Sequence, residues 1–229
     1  YTLAEFLQMV PQLTRSGELD YLSVSVGTFN SSAIVVDSMY YPPGSLVRYA
    51  ESIKRVVSIP VIARGRIVDP FQAERILASG QADMVSLVRA LIADPEFPRK
   101  AREGRADEIR KCIACNEGCW SRVVRQTTVN LALGMTCTVN PAVGREILPG
   151  WGELTPAKVR KRVMIIGGGP AGLETARVAA LRGHEVSLYD RDSQLGGQAL
   201  IAAKAPGRDG FLEMVRYYTA MSTYHSSIF

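Results

Sequence analysis

Residues 163–190 read Val163-Met164-Ile165-Ile166-Gly167-Gly168-Gly169-Pro170-Ala171-Gly172-Leu173-Glu174-Thr175-Ala176-Arg177-Val178-Ala179-Ala180-Leu181-Arg182-Gly183-His184-Glu185-Val186-Ser187-Leu188-Tyr189-Asp190. The apolar run 163–166 predicts a strand, 170–182 a helix stopped at Gly183, and 185–189 a second strand, which together make one βαβ unit. Gly167 to Gly172 satisfies G-x-G-x-x-G between that strand and that helix, the context in which the motif is informative. Gly167 allows the tight turn, Gly169 lets a pyrophosphate approach the helix amino terminus, and Gly172 lets helix and strand pack closely. Asp190 is placed to accept the ribose hydroxyls of an adenosine. An acid there favours FAD or NAD over NADP, and the adjacent Arg191 weakens that preference. Gly196-Gly197-Gln198 supplies a second close backbone approach near the same pocket. The alternative, a glycine turn without a ligand, fits the flanking strand and helix less well.

Upstream, 150–162 reads as a linker, with Trp151, Pro156 and the basic run Lys158, Arg160, Lys161 and Arg162. Before it, between Arg105 and about Pro149, the alternation of strand and helix is lost and all four cysteines occur. Cys112, Cys115 and Cys119 form C-x2-C-x3-C, and Cys137 follows after seventeen intervening residues. Two disulfides are disfavoured in a chain whose amino terminus carries no secretory pattern. Zinc is the serious competitor for four thiolates. Structural zinc sites usually draw ligands from two separated pairs, whereas three thiolates within eight residues can hold three corners of a cubane and a distant fourth can close it. The spacing favours a [4Fe-4S] cluster, with zinc as the alternative.

The first hundred residues alternate β-branched runs with helical stretches, which implies parallel strands and crossover helices. Strands are expected at 19–26, 59–63 and 82–88, and helices at 44–57 and 70–79. Two strands end in Gly27-Thr28-Phe29 and Arg64-Gly65-Arg66, at carboxyl ends where parallel α/β folds place ligands.

Composition removes several classes. Nearly half of the 229 residues are hydrophobic, enough for one large core or two modest ones. No apolar run reaches the length of a membrane span, so a cytoplasmic chain is expected. The net charge of +5 is dispersed among acidic residues, which argues against a nucleic-acid partner.

Together these features resemble the 2,4-dienoyl-CoA reductase and trimethylamine dehydrogenase group of the old yellow enzyme superfamily. The resemblance rests on Gly65-Arg66-Ile67-Val68-Asp69-Pro70, Arg89-Ala90-Leu91-Ile92-Ala93-Asp94-Pro95, Cys112-Ile113-Ala114-Cys115-Asn116, Cys137-Thr138-Val139-Asn140-Pro141 and Gly167 to Glu174. It implies an α/β chain holding the carboxy-terminal part of an FMN-binding (β/α)8 barrel (1–104), a [4Fe-4S] segment (105–150) and the start of a Rossmann-like FAD- or ADP-binding domain (151–229), and hence a fragment. By the same resemblance, Gly65, Arg66, Val88 and Arg89 form an FMN-phosphate cradle, and Ala171, Asp190, Gln198 and Arg208 match positions that contact FAD. A buried guanidinium at the last strand-to-helix loops of a barrel is chemically suited to phosphate.

Three departures stand out: the Cys119–Cys137 loop is longer than usual, Gly27 to Ser32 holds no histidine where dienoyl-CoA reductases have one near substrate, and the upstream barrel strands are absent. No catalytic acid or base can be named. The implied activity is an NAD(P)H-linked reduction of an activated C=C bond in a small-molecule substrate. Electrons would pass through FAD, the cluster and FMN, because a one-electron cluster needs a flavin on each side to divide a hydride pair. The alternatives are an amine dehydrogenase or N-demethylase that passes electrons to a protein acceptor, and a non-catalytic electron-transfer or zinc-structured remnant. Oligomeric state is not legible.

Overall fold

Three short parallel strands organise the first part of the chain. They are β1 (Leu22–Ser23), β2 (Val61–Ala63) and β3 (Met84–Val85), hydrogen-bonded in that order with Leu22 opposite Val61, Ile62 opposite Met84 and Ala63 opposite Val85. The computed structural model describes residues 1–129 and 134–224. It divides into two units, Tyr1–Ala90 and Leu91–Phe229.

In the first unit, neighbouring strands follow one another in the chain and are joined by helices, the repeat of a (β/α) barrel segment. The helices are α1 (Leu3–Thr14), α2 (Ser32–Val35), α3 (Val47–Lys54) and α4 (Pro70–Ala78). Val61 and Ala63 are fully buried and share a core with Ala50 and Ile53 of α3, Ile76 of α4 and Val10 of α1. The ladder is shorter than the apolar runs because Leu19 and Tyr21 are exposed and pairing begins only at Leu22. Helix α3 begins three residues later than expected. Gly44 has φ +76° and donates its N–H to the carbonyls of Gly65 and Arg66, so the chain there holds the next strand's exit turn instead of coiling. Helix α4 starts where Pro70 and an Asp69 cap place it, with Asp69 accepting from the N–H groups of Phe71 and Gln72. Helix α1 was not foreseen. Pro11 interrupts its pattern, yet Thr2 and Glu5 form a capping box that fixes its start.

The second unit begins with α5 (Arg89–Ala93), which straddles the division, and continues through α6 (Phe97–Arg102) and α7 (Trp120–Val129). The long Cys119–Cys137 loop thus folds in part as α7, and its residues 130–133 lie outside the described ones. Next come β4 (Arg162–Ile166), α8 (Pro170–Leu181) and β5 (Glu185–Tyr189), with the two strands parallel over five residue pairs, as the fingerprint predicts. Helices α9 (Gln198–Ala202) and α10 (Gly210–Tyr224) complete it, the latter packing on α8 and α9.

Its largest core joins Leu173 of α8, Ala199 of α9 and Met214, Tyr217 and Met221 of α10 to Ile113 and Val139 from the cysteine segment. Segment 105–150 and the residues after 151 therefore lie in one unit. Among the described residues no helix is long and apolar enough to cross a membrane.

Candidate functional site

The cysteine segment is shaped by backbone conformations that ordinary loops avoid. Ala114 (φ +53°) and Asn116 (φ +60°) both lie in the left-handed region, and Ala114 is buried. A non-glycine residue there costs on the order of 1–2 kcal/mol, which the surrounding packing must offset. The Ala114 N–H points at Cys112 Sγ, 3.3 Å away. Gly118 brings in the distant cysteine: Thr136 N–H donates to its carbonyl at 2.8 Å, and a Cβ at 118 would lie 2.3 Å from the Thr136 carbonyl oxygen. Only glycine lets the 136–138 segment lie this close to 117–119.

Cys115 Sγ then sits 3.2 Å from Thr138 Oγ1, a contact that sequence reading did not anticipate. Burial pushes the Cys137 thiol up, as do the nearby Cys115 and Cys119, against the pull of the Val139 and Asn140 N–H groups. All four cysteines are half-buried and outside any disulfide, and Cys112, Cys115 and Cys137 pack against the core shared with α8 and α10. Among the described residues, no three His, Cys, Asp or Glu side chains are already drawn together tightly enough to hold a single metal ion. The donor set, four soft thiols on two segments held by one backbone bond, suits a thiolate-bound centre.

The glycine turn is built as expected. Gly167 (φ +105°) donates to the Tyr189 carbonyl at 2.7 Å, and Gly172 lies so close to the strand that a Cβ would sit 1.9 Å from the Gly167 carbonyl oxygen. Gly169 differs: a Cβ there meets nothing within 4 Å, the open space a pyrophosphate needs at the α8 amino terminus. Asp190 accepts the N–H groups of Asp192 (2.8 Å) and Gly168 (2.5 Å), which hold its carboxyl below the usual range. Gly196 N–H donates to the Gly168 carbonyl at 2.8 Å, so the Gly196–Gln198 turn lies against the fingerprint. Ala171 and Gln198 are exposed on the first turns of α8 and α9, and Arg208 is exposed in the turn before α10.

Gly65 (φ +113°) and Arg66 (φ +44°) follow β2, and Val88 and Arg89 follow β3. The register of Ala63 with Val85 places all four residues at the same end of adjacent strands. The two guanidinium groups face protein acceptors there. Arg66 donates to the carbonyls of Met39 (2.9 Å) and Tyr41. Arg89 donates to the Asp37 carbonyl (2.6 Å) and to Asp37 Oδ1 (2.5 Å). The Asp37 side chain is buried and also accepts from the Ser45 hydroxyl at 2.7 Å. Asp37 was missed because an acid inside an apolar stretch gives no periodic signal.

Residues 26–108 match the NADH:flavin oxidoreductase / NADH oxidase family, and 165–228 match an NAD(P)-binding Rossmann-like domain. An NADH oxidase of Thermoanaerobacter brockii is 46% identical over 207 residues, 90% of this chain and 31% of that protein. An N,N-dimethylglycine/sarcosine dehydrogenase of Chromohalobacter salexigens is 42% identical over 89% of this chain and 29% of its own length. A solved 2-naphthoyl-CoA reductase complex superposes with a TM-score of 0.88 at 31% identity, covering 99% of this chain and 33% of that one. The chain thus spans about a third of the length of these relatives. Its barrel-end segment belongs to the NADH:flavin oxidoreductase / NADH oxidase family and is continued by a Rossmann-like NAD(P)-binding domain, the pairing that the family resemblance implied.

Proposed function

We propose that this chain is the electron-relay portion of a flavin oxidoreductase, with a [4Fe-4S] cluster on Cys112, Cys115, Cys119 and Cys137 between an adenosine cofactor and FMN. When bound, these groups would divide a hydride pair from NAD(P)H into single electrons and recombine them on a small-molecule acceptor with an activated C=C bond. The observation that carries the reading is the shared core. Ile113 and Val139, beside the cysteines, pack with Leu173 of α8, the helix whose amino terminus would take the pyrophosphate. Gly167, Gly169 and Gly172 would seat the dinucleotide, with Asp190 on its ribose and Ala171, Gln198 and Arg208 around it. Gly65, Arg66, Val88 and Arg89 would border FMN. The cysteines bind as thiolates, so loading the centre must release thiol protons.

The test is composition. Anaerobically purified intact protein should carry about four iron and four acid-labile sulfide per chain, as one cubane requires. Stoichiometric zinc without sulfide would overturn the assignment. A second reading, oxidation of an N-methyl amine with electrons passed to a protein acceptor, is favoured by the likeness to the dimethylglycine/sarcosine dehydrogenase and by the absence of histidine from Gly27–Ser32. Turnover of a secondary or tertiary amine, with none of an enoyl thioester, would select it.

A further inference from the structure

Arg110, two residues before Cys112, is among the few buried charged residues of the chain, and its side chain is 8% exposed. Its guanidinium joins three parts of the unit. One Nη donates to Asn140 Oδ1 at 3.4 Å, three residues beyond Cys137, and the other reaches Glu174 of α8 at 3.2 Å and the Tyr217 hydroxyl of α10 at 3.2 Å. The guanidinium carbon also stacks 4.8 Å from the centre of the Tyr217 ring. Glu174 is held from its other side by Arg177 through two bonds of 2.8 and 2.7 Å. Lys100 and Asp94 close the network: Asp94 accepts the Arg110 backbone N–H at 2.9 Å and the Lys100 ammonium at 2.6 Å.

In this network the two guanidinium groups outnumber the one carboxylate that bridges them. Arg110 ties both cysteine segments to the dinucleotide helix, and its Cα can be no more than about 7 Å from that of Cys112. A charge held near a redox centre, away from water, acts on the centre's potential: a cation favours the reduced, more negative state and an anion the oxidised one.

We infer that Arg110 is a positioning residue that registers the two cysteine segments on α8, and that the Arg110–Glu174 pair sets the reduction potential of the centre they hold. This rests on the cluster reading above and goes beyond it by assigning the charge that tunes the centre.

The experiment is a chemical reductive titration of the intact protein, followed by electron paramagnetic resonance, with iron and sulfide measured on each sample. Arg110→Gln should shift the midpoint to more negative potential, and Glu174→Gln should shift it to more positive potential. Arg110→Lys, which keeps the charge, should stay near the parental value. Opposite displacement by the two neutralisations is something a purely structural role would not produce. A retained cluster whose midpoint is unmoved, or moves the same way in both variants, overturns the inference. If Arg110→Gln loses the cluster, Glu174→Gln decides: a positive shift supports the inference, and a parental or lower midpoint, or loss of the cluster there too, overturns it. Absence of iron and sulfide from the parental protein would instead refute the cluster reading.

Discussion

Gly169 and Gly172 stand three residues apart in one motif but answer to different neighbours. A side chain at 172 would collide with the Gly167 carbonyl, so Gly172→Ala must push α8 off the strand. Overpacking of this kind costs on the order of 1–3 kcal/mol, and urea unfolding should show a loss in that range. At 169 an added Cβ meets nothing within 4 Å and φ is −75°, so a side chain there is not opposed by close backbone contact. Gly169→Val should unfold within about 1 kcal/mol of the parent, the usual size of a change at a helix cap, while adenosine-cofactor binding measured by calorimetry falls more than tenfold. Parental affinity in a folded Gly169→Val protein would show that the motif is only a turn.

At the scale of elements, α8 carries both the helix terminus of the glycine fingerprint and a half-buried acid, Glu174. Burial alone would raise the Glu174 carboxyl, but hydrogen bonds from Arg177 and Tyr218 and the charge of Arg110 bring it below its ordinary 4.5. A carboxyl whose folded value is depressed contributes stability above its unfolded value and loses that contribution as pH falls through the folded one. The urea midpoint of the second unit should therefore decline as pH drops below about 4.5, and Glu174→Gln should decline less steeply over the same range. Equal slopes would show that the carboxylate adds nothing net. Burial also explains the helices that pattern reading passed over. Helix α10 buries Met214, Tyr217, Tyr218 and Met221, residues that gain a partner only once α8 and the cysteine segment are in place.

On the scale of the whole molecule, the two units give one substitution a confined effect. The family resemblance implies that Arg89 cradles an FMN phosphate, and in the structure its guanidinium neutralises Asp37, whose side chain is 2% exposed. Arg89→Ala leaves that carboxylate buried without its ion partner, a change that typically costs about 3–5 kcal/mol. Protease sensitivity should therefore rise within residues 1–90, while the adenosine site and the thiol centre of the second unit keep their ligands. Restored protease resistance in Arg89→Met combined with Asp37→Asn, but without recovered FMN affinity, would separate the two roles of Arg89.

By itself the sequence determined whatever depends on local chemistry. The βαβ unit at 163–189, the glycine turn, the Asp69-Pro70 helix start and the presence of a four-thiol set were legible because strand periodicity, φ requirements, capping and ligand spacing act over a few residues. Tertiary structure decided which groups meet. No local pattern says that Gly118 admits Thr136 at backbone contact, that Arg66 and Arg89 turn toward the 37–41 loop, or that Arg110 joins Asn140, Glu174 and Tyr217. Each of those contacts links residues 18 to 107 positions apart, where chain closure and burial, and not local preference, select the partner.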